Sequence, residues 1–383
     1  MNPVVHAITP GDHFSPRTGS AIPTVVHGLA GAATRAQDAE HTVLLDAATF
    51  HPRYPSAAIR EYEGAPYPGR AARAVDAALG TLGLPRPSAA RAFQPLADVM
   101  KGIERSIVLA HNAPALPRLL RAQEHDVVLY AHNDILRTIG HAEARRSLGD
   151  VRAIVCVSEF LADRTVSRLP RDLAARVHVV ANGVDIDTFH PAAQTTSGTR
   201  LRVMFVGRVV PEKGADILLK AASRLQRDDI EIIIVGSAGF DREAPLTAYE
   251  SSLREHAANV RGPVVFERFA DRARVPELLR TADVFVVPSR WAEPSALTAG
   301  EALATGLPVI AARTGGIPDV IGDAGIIVPP DDPGSLAEAL DHLASDSGER
   351  ARLAASARAR AEARTWGWAW GQLRSTLDRV SRP

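Results

Sequence analysis

Residues 289–316 read SRWAEPSALTAGEALATGLPVIAARTGG, and two acids in this stretch, Glu293 and Glu301, flank what reads as the start of a helix. With a rise of about 1.5 Å per residue, the eight positions between them cover roughly 12 Å. That is the reach from a hexose ring across a diphosphate to a ribose. Glu293 could then accept hydrogen bonds from sugar hydroxyls and Glu301 from a ribose, while the amides of Ser295, Ala296 and Leu297 cap the phosphates. Taken alone, the pair reads more simply as a capping acid and an exposed acid on an Ala-rich helix, a common arrangement. A second stretch, LRVMFVG followed by RVVPEKGADILLKAA, ends a strand at Gly207, places Arg208 and Lys213 in the loop and sets Gly214 before a helix. Two cations and a helix N-terminus aimed at one point suit a diphosphate whose charge grows as its bond to a sugar breaks. Two solvated surface cations are the alternative, and the absence of GxxxxGK[ST] excludes a P-loop. A third stretch, PVIAARTGGIPDVIG, opens a short helix at Gly315-Gly316, whose amides could meet the same phosphates. In the first half of the chain, IVLAHNAPALP and VVLYAHND place His111 and His132 at the ends of consecutive strands, and ITPGDHFSPRTGS supplies Asp12, His13 and Gly19.

The elements that must position these residues alternate Val/Ile-rich runs with Ala/Leu/Arg segments of helical period, the pattern of βα units feeding a parallel sheet. Strands are expected near 3–9, 42–46, 106–110, 127–131, 152–157 and 177–181, and again near 201–206, 230–235, 263–266, 284–287, 308–311 and 325–328. The fold class is α/β, with two Rossmann-like doubly wound domains and ligands expected at the carboxyl ends of the strands, in a cleft between the domains. HPAAQTTSGTR (190–200) reads as a linker. The domains are expected at 1–190, joined by a C-terminal segment 365–383, and at 196–364. TWGWAWGQLRSTLDRV reads as an amphipathic helix docked on a groove, returning to the first domain.

Composition narrows the function classes. Lys+Arg and Asp+Glu stand at 44 each in 383 residues, so no net field draws the chain to nucleic acid or an anionic membrane. The single cysteine, Cys156, lies in an apolar strand-like run; it forbids an intramolecular disulfide and fits a reducing compartment. MNPVVHAITPGDHF lacks the features of a signal peptide and no run approaches 18 apolar residues, so a cytoplasmic location and no membrane span are expected. A dinucleotide-dependent oxidoreductase would want G-x-G-x-x-G after a strand, and GSAGF at 236–240 lacks that spacing.

Taken together, GRVVPEKG, EPSALTAGE and TGGIPDVI resemble the donor half of the retaining glycosyltransferases of family four, which have the GT-B architecture. The first half agrees: ANGVDIDTFHP is similar to the family's NGVD segment, CVSEF to its V-S-E turn, and the TGS at Gly19 to its N-terminal glycine loop. The resemblance covers essentially the whole chain. It implies transfer of a sugar from a nucleotide sugar, here a UDP sugar, to a hydroxyl of a small molecule, with retention at the anomeric carbon. It implies that His132 contacts the donor sugar and helps place the acceptor hydroxyl, that His111 lines the acceptor side, that Gly19 offers an amide near the diphosphate and that Asp12 faces the acceptor. Base recognition is expected near Phe269, mostly through backbone groups. Asp185-Ile-Asp187 is a DxD, which elsewhere holds a divalent cation. Inside the NGVD segment Asp185 is expected to be structural, and no metal or other cofactor is expected, since Arg208 and Lys213 would manage the diphosphate charge. Two departures stand out: Ser295-Ala296 replaces the family's usual Phe-Gly after Glu-Pro, and Asp319 stands where Glu is usual. The segment ITPGDHFSPRTGSAIPTVVHGLA is similar to glycosyltransferases of aminoglycoside antibiotic assembly. A polycationic aminocyclitol or pseudodisaccharide acceptor would favour acids in the first domain, with Asp12, Asp98, Glu104 and Asp134 as candidates. Glycan, lipid or thiol-precursor acceptors remain the alternative, as does a non-catalytic nucleotide-sugar-binding protein.

Overall fold

Runs such as IEIIIV and VFVV carry apolar side chains on both sides of the pleat, which suits strands covered on both faces. The computed structural model describes residues 2–66, 68–84, 86–193 and 199–380. It arranges such runs in two sheets whose pairings are all parallel. The first contains β1 (Val4–Ala7), β2 (His41–Asp46), β3 (Ala58–Tyr62), β4 (Ile107–His111), β5 (Asp126–Ala131), β6 (Ala153–Cys156) and β7 (Val177–Val179), in the order β3-β2-β1-β4-β5-β6-β7. The second contains β8 (Leu201–Val206), β9 (Ile230–Val235), β10 (Val264–Glu267), β11 (Val284–Val287), β12 (Val309–Ala312) and β13 (Gly325–Val328), in the order β10-β9-β8-β11-β12-β13. Each order reverses direction once, between β1 and β4 and between β8 and β11. Loops leaving neighbouring strands diverge there, which opens a crevice at the carboxyl ends. In the second sheet the pleat sorts the core into two layers. Val203, Ile232, Ile234, Val284 and Val286 pack on one face, and Met204, Ile233, Val235, Phe285 and Val287 on the other.

The chain divides into two compact units, Met1–Asn182 with Trp366–Pro383, and Gly183–Thr365. The division precedes the boundary expected at 190–196 because the NGVD segment is fastened to the second unit. The Val184 amide donates to Arg364 O at 3.0 Å, and Arg358 Nη1 donates to the carbonyls of Ile186, Phe189 and Ala304 at 3.2, 3.0 and 2.8 Å. Part of the expected linker, residues 194–198, lies outside the described residues. The strand absent from the sequence reading is β3. Its sequence AIREY sits at a sheet edge with Arg60 and Glu61 exposed, so it lacks an apolar run.

The helix Trp366–Val380 belongs to the first unit and packs on the helix Ala21–Arg35. Gly28 makes this close approach possible, since a Cβ there would stand 2.2 Å from the Trp366 ring. Trp370 Nε1 donates to Asp38 Oδ2 at 3.0 Å. Among the described residues no helix is long and apolar enough to cross a membrane. Cys156 is fully buried, and burial pushes its thiol up to about 11.

Candidate functional site

In the second unit three strand-end loops meet at one acid. Lys213, in the loop after β8, reaches Glu293 Oε1 at 2.5 Å, and Ser289 Oγ donates to the same oxygen at 2.7 Å. The Glu293 carbonyl accepts from the Gly316 amide at 2.6 Å, which brings in the loop after β12. Two glycines allow these loops to touch. Gly214 has φ +74 and a Cβ on it would lie 2.0 Å from Pro288 O; Gly315 has φ +60 and a Cβ on it would lie 2.1 Å from Glu293 O. The amides of Arg290 and Trp291 both donate to Glu212 O, at 2.9 and 3.1 Å, closing the junction between the loops after β8 and β11.

Behind this junction Asp216 ties four elements together. Arg290 clamps it with two bonds of 2.7 and 2.8 Å, Lys220 reaches it at 2.9 Å and Tyr249 donates at 2.7 Å, while Arg290 also holds Asp331 at 2.9 Å. Burial alone would raise the Asp216 carboxyl. The hydrogen bonds from Arg290, Lys220 and Tyr249 outweigh it and hold the group well below the usual carboxylate range.

The helix expected after Glu-Pro begins only at Leu297, with Ala296 as an N-cap that supplies no side-chain hydrogen bond. Glu293 therefore lies in a loop, and the spacing of eight helical positions does not apply; only 297–301 rises along the helix, by roughly 6 Å. The helix amides that can meet an anion start at Leu297, with Ser295 and Ala296 outside the helix. Glu301 is not an exposed acid. It is 3% exposed, its Oε1 takes Arg272 Nη2 at 2.5 Å, and its Oε2 is buried with no hydrogen-bond partner among the described residues. Arg208 is exposed and forms no ion pair among the described residues. Phe269 is half-buried, its amide donates to Ser237 Oγ at 3.1 Å, and its ring meets Phe240 edge-on at 5.8 Å. The loop after β9 lies against Gly207, since a Cβ at Gly236 (φ +136) would stand 1.9 Å from Gly207 O.

In the first unit His111 and His132 touch, His111 Nδ1 to His132 Nε2, at 2.8 Å. The row continues from His111 Nε2 to His6 Nδ1 at 2.9 Å and from His6 Nε2 to His41 Nδ1 at 2.8 Å. All four rings are buried. Burial takes His132 down to about 3 and His41 to about 4. His6 and His111 are also lowered well below the ordinary value, by burial first and by neighbouring histidines second. The row is neutral at pH 7.

The expected acceptor-side acids have different surroundings. Asp12 accepts from Ser20 Oγ at 2.8 Å, and burial raises its pKa. Asp134 is already neutralised by Arg164 at 3.1 Å and Arg168 at 2.7 Å, so its carboxylate does not stand ready for a cationic acceptor. Asp98 is held by Lys101 at 2.6 Å on an exposed helix surface, and Glu104 is exposed. At Gly19 a Cβ would meet nothing within 4 Å, so nothing in this unit demands glycine there. Asp185 caps its own turn, with Oδ1 accepting from the amides of Asp187 and Thr188 and Oδ2 from the Thr188 hydroxyl. Among the described residues no group of three or more His, Cys, Asp or Glu side chains is placed to hold a metal ion.

Comparison with known proteins decides the family. The profile described as Glycosyltransferase Family 4 matches residues 22–188, and that described as Glycosyl transferases group 1 matches residues 187–360. The chain belongs to the family-four glycosyltransferases. It is 34% identical to Bacillus subtilis spore coat protein SA over 266 residues, covering 63% of this chain and 70% of that protein. It is 38% identical to the D-inositol 3-phosphate glycosyltransferase of Xylanimonas cellulosilytica over 195 residues, covering 47% of this chain and 46% of that enzyme. The chain thus spans about half the length of that inositol phosphate enzyme. Among solved structures, Anabaena HepE with UDP and glucose superposes with a TM-score of 0.74 at 18% identity, over 99% of this chain and 100% of that one, a likeness of fold.

In this family-four glycosyltransferase, sequence reasoning named Lys213 and Glu293 but missed that they form an ion pair, and it missed Ser289, Arg272 and the Asp216–Arg290 clamp. The partners of Lys213, Arg272 and Asp216 lie far along the chain, where no local spacing signals them, and Ser289 lies four residues before Glu293 with nothing but the loop between them to mark it. His6 and His41 were missed as ordinary strand residues. The available signal was a histidine on each of β1, β2 and β4, with a fourth just after β5.

Proposed function

We propose that the chain transfers a sugar from a UDP sugar to a hydroxyl of a small cyclitol, with retention at the anomeric carbon and without a metal. The observation that carries this reading is the convergence of three strand-end loops on Glu293 and Lys213, with the buried, unpartnered Oε2 of Glu301 on the neighbouring helix. Each part has a donor group to meet. The diphosphate would draw Lys213 away from Glu293 and gain Arg208 and the Leu297 helix N-terminus; Glu293, released, would accept from sugar hydroxyls; Glu301 Oε2 would accept from the ribose; and the base would lie near Phe269. In the reaction the bond from the anomeric carbon to the β-phosphate oxygen breaks as the acceptor oxygen approaches the same face. The acceptor proton passes to the departing phosphate, whose growing charge Lys213 and Arg208 hold. His132 would orient a hydroxyl as a neutral imidazole, with His111 and Asp12 on the acceptor side and Gly19 beside the diphosphate.

The cyclitol acceptor draws support from two directions. The N-terminal segment resembles enzymes of aminoglycoside assembly, and several relatives are named for inositol phosphate. The ion pairs at Asp134 and Asp98 weaken the electrostatic case for a polycation, so neutral and phosphorylated cyclitols belong in the same panel as aminocyclitols. The test is incubation of the full chain with UDP-hexoses and UDP-aminosugars, with and without chelator, against that panel, reading product mass and the anomeric configuration by NMR. Retained transfer to a cyclitol in chelator is expected. Transfer only to glycans or lipids would remove the acceptor reading, and an inverted product would remove the mechanism.

A further inference from the structure

The four buried histidines of the first unit form one head-to-tail row. His41 Nδ1 meets His6 Nε2, His6 Nδ1 meets His111 Nε2, and His111 Nδ1 meets His132 Nε2, at 2.8, 2.9 and 2.8 Å. The strand order explains it, because β2, β1, β4 and β5 are consecutive neighbours in the sheet and each contributes one ring at or just after its run. Tyr130 stacks against both His111 and His132, with centroids 5.1 and 4.6 Å apart, and fixes that end.

A hydrogen bond between two imidazoles contains one proton, supplied by one ring and received by the other. In a neutral row of this polarity the tautomers are locked together: either every ring carries its proton on Nδ1 or every ring carries it on Nε2. A mixed row would leave two lone pairs or two N–H groups facing each other inside the core, and one such unmade buried bond suffices to bias the population by about tenfold or more. The choice between the two ordered states is made at the far end. His41 Nε2 is buried with no hydrogen-bond partner among the described residues. The His41 ring stands edge to face with Trp370, centroids 5.0 Å apart, and Trp370 together with Arg374 holds the Asp38 carboxylate, whose negative charge acts on the same imidazole. A proton on Nε2, the nitrogen not engaged with His6, is favoured by that negative field, and a lone pair in that place is repelled by it.

We propose that His41, His6 and His111 are positioning residues that hold His132 as its Nε2–H tautomer, so that His132 presents a bare Nδ1, a hydrogen-bond acceptor, to the hydroxyl it orients. His132 Nδ1 itself has no partner among the described residues, and the His132 amide is pinned by Asn112 Oδ1 at 2.7 Å. The inference rests on the reading of His132 as a ligand-contacting residue only for its consequence; the tautomer exists in the free protein. An acceptor at this position favours ligands with a free hydroxyl and disfavours those with an ether or a fluorine at the matching carbon, which leave the nitrogen unpaired.

Histidine-selective 15N labelling of the full chain, with two-bond 15N–1H correlation and assignment by single His→Gln variants, reads each tautomer without turnover. The expected result is four neutral rings with protonated Nε2 and bare Nδ1, that form predominating on His132. In His6→Phe, which removes two of the three bonds, the His132 preference should fall to within about threefold. His41→Phe provides the same test at the end of the row should His6→Phe fail to fold. Protonated Nδ1 on His132 in the wild-type protein overturns the proposal, and so does a His132 preference unchanged in a folded variant. Because the measurement requires no donor or acceptor, a protein that shows the ordered tautomers and transfers no sugar overturns the catalytic reading alone.

Discussion

Replacing Lys213 by methionine separates the part of the loop junction that holds the fold from the part that drives the reaction. Glu293 is 7% exposed and is held by Lys213 at 2.5 Å and by Ser289 at 2.7 Å. Two opposite charges at that range near a protein surface attract by about 4 kcal/mol or more before desolvation. The Lys213 side chain is 25% exposed, so water takes over part of its role when it is removed. The fully buried limit of about 3–5 kcal/mol is therefore discounted to about 1–3 kcal/mol for leaving Glu293 unpaired. In a unit of this size that lowers the melting temperature by about 2–4 °C per kcal/mol. The effect on rate is of another kind. A preorganised cation facing the departing phosphate contributes about 10²–10³ in kcat. The informative partner is the double variant Lys213→Met with Glu293→Gln, which removes the uncompensated charge and should recover most of the stability while kcat stays low. Calorimetry and initial rates of UDP release, measured side by side on the four proteins of the cycle, provide the assay. A Lys213→Met protein that turns over within about threefold of wild type would refute the role given to the cation. A double variant as unstable as the single one would refute the ion-pair argument.

Other perturbations have equally definite outcomes. Glu301→Ala removes the buried acceptor that lacks a partner and should weaken UDP binding about 10–100-fold by titration calorimetry, the value of a charge-assisted hydrogen bond, with a smaller effect on a base-only ligand. Gly315→Ala forces a Cβ to within 2.1 Å of Glu293 O at a positive φ; it should cost about 1–3 kcal/mol in chemical denaturation and reduce transfer, because the shifted atom belongs to the sugar-side acid. Asp216 has a folded-state pKa below its unfolded value, so its stabilisation is present above about pH 4 and is lost as pH falls further. In Asp216→Asn the acid limb of the stability profile below about pH 4 should be shallower than in wild type, and an unchanged limb would show that Arg290 and Lys220 do not act through this carboxylate.

Much of this architecture is legible in the chain. Strands such as VFVV and IEIIIV are buried on both faces and declare themselves by composition, and the loops after LRVMFV and VIAA are marked by Gly207 with Gly214 and by the Gly315-Gly316 pair. The edge strand AIREY does not, because the polar Arg60 and Glu61 at the exposed sheet edge remove the apolar run that marks its neighbours. The site follows the same division. Lys213 and Glu293 stand out because they follow strands, whereas their ion pair spans 80 residues of sequence and is set by a backbone contact between Glu212 and the Arg290-Trp291 amides that no local pattern encodes. Of the two readings of Glu301, the exposed acid on an alanine-rich helix is the one the structure removes, since the carboxylate is buried and paired with Arg272 from a separate short turn. His6 and His41 gave only the weak signal of a histidine within each of two strands, which acquires meaning through the sheet order that sets one ring beside another.

The indole of Trp366, seated on bare backbone at Gly28, orders the assembly of the molecule in time. A ribosome delivers the whole of 183–365 before it delivers the residues that cover the helix Ala21–Arg35. During synthesis the second unit can reach its native packing while the face of the helix Ala21–Arg35 around Gly28 still waits for its cover, the sort of surface a nascent-chain chaperone shields. Shortening the chain before residue 366 would make that temporary exposure permanent, even though every strand of the first sheet would still be present.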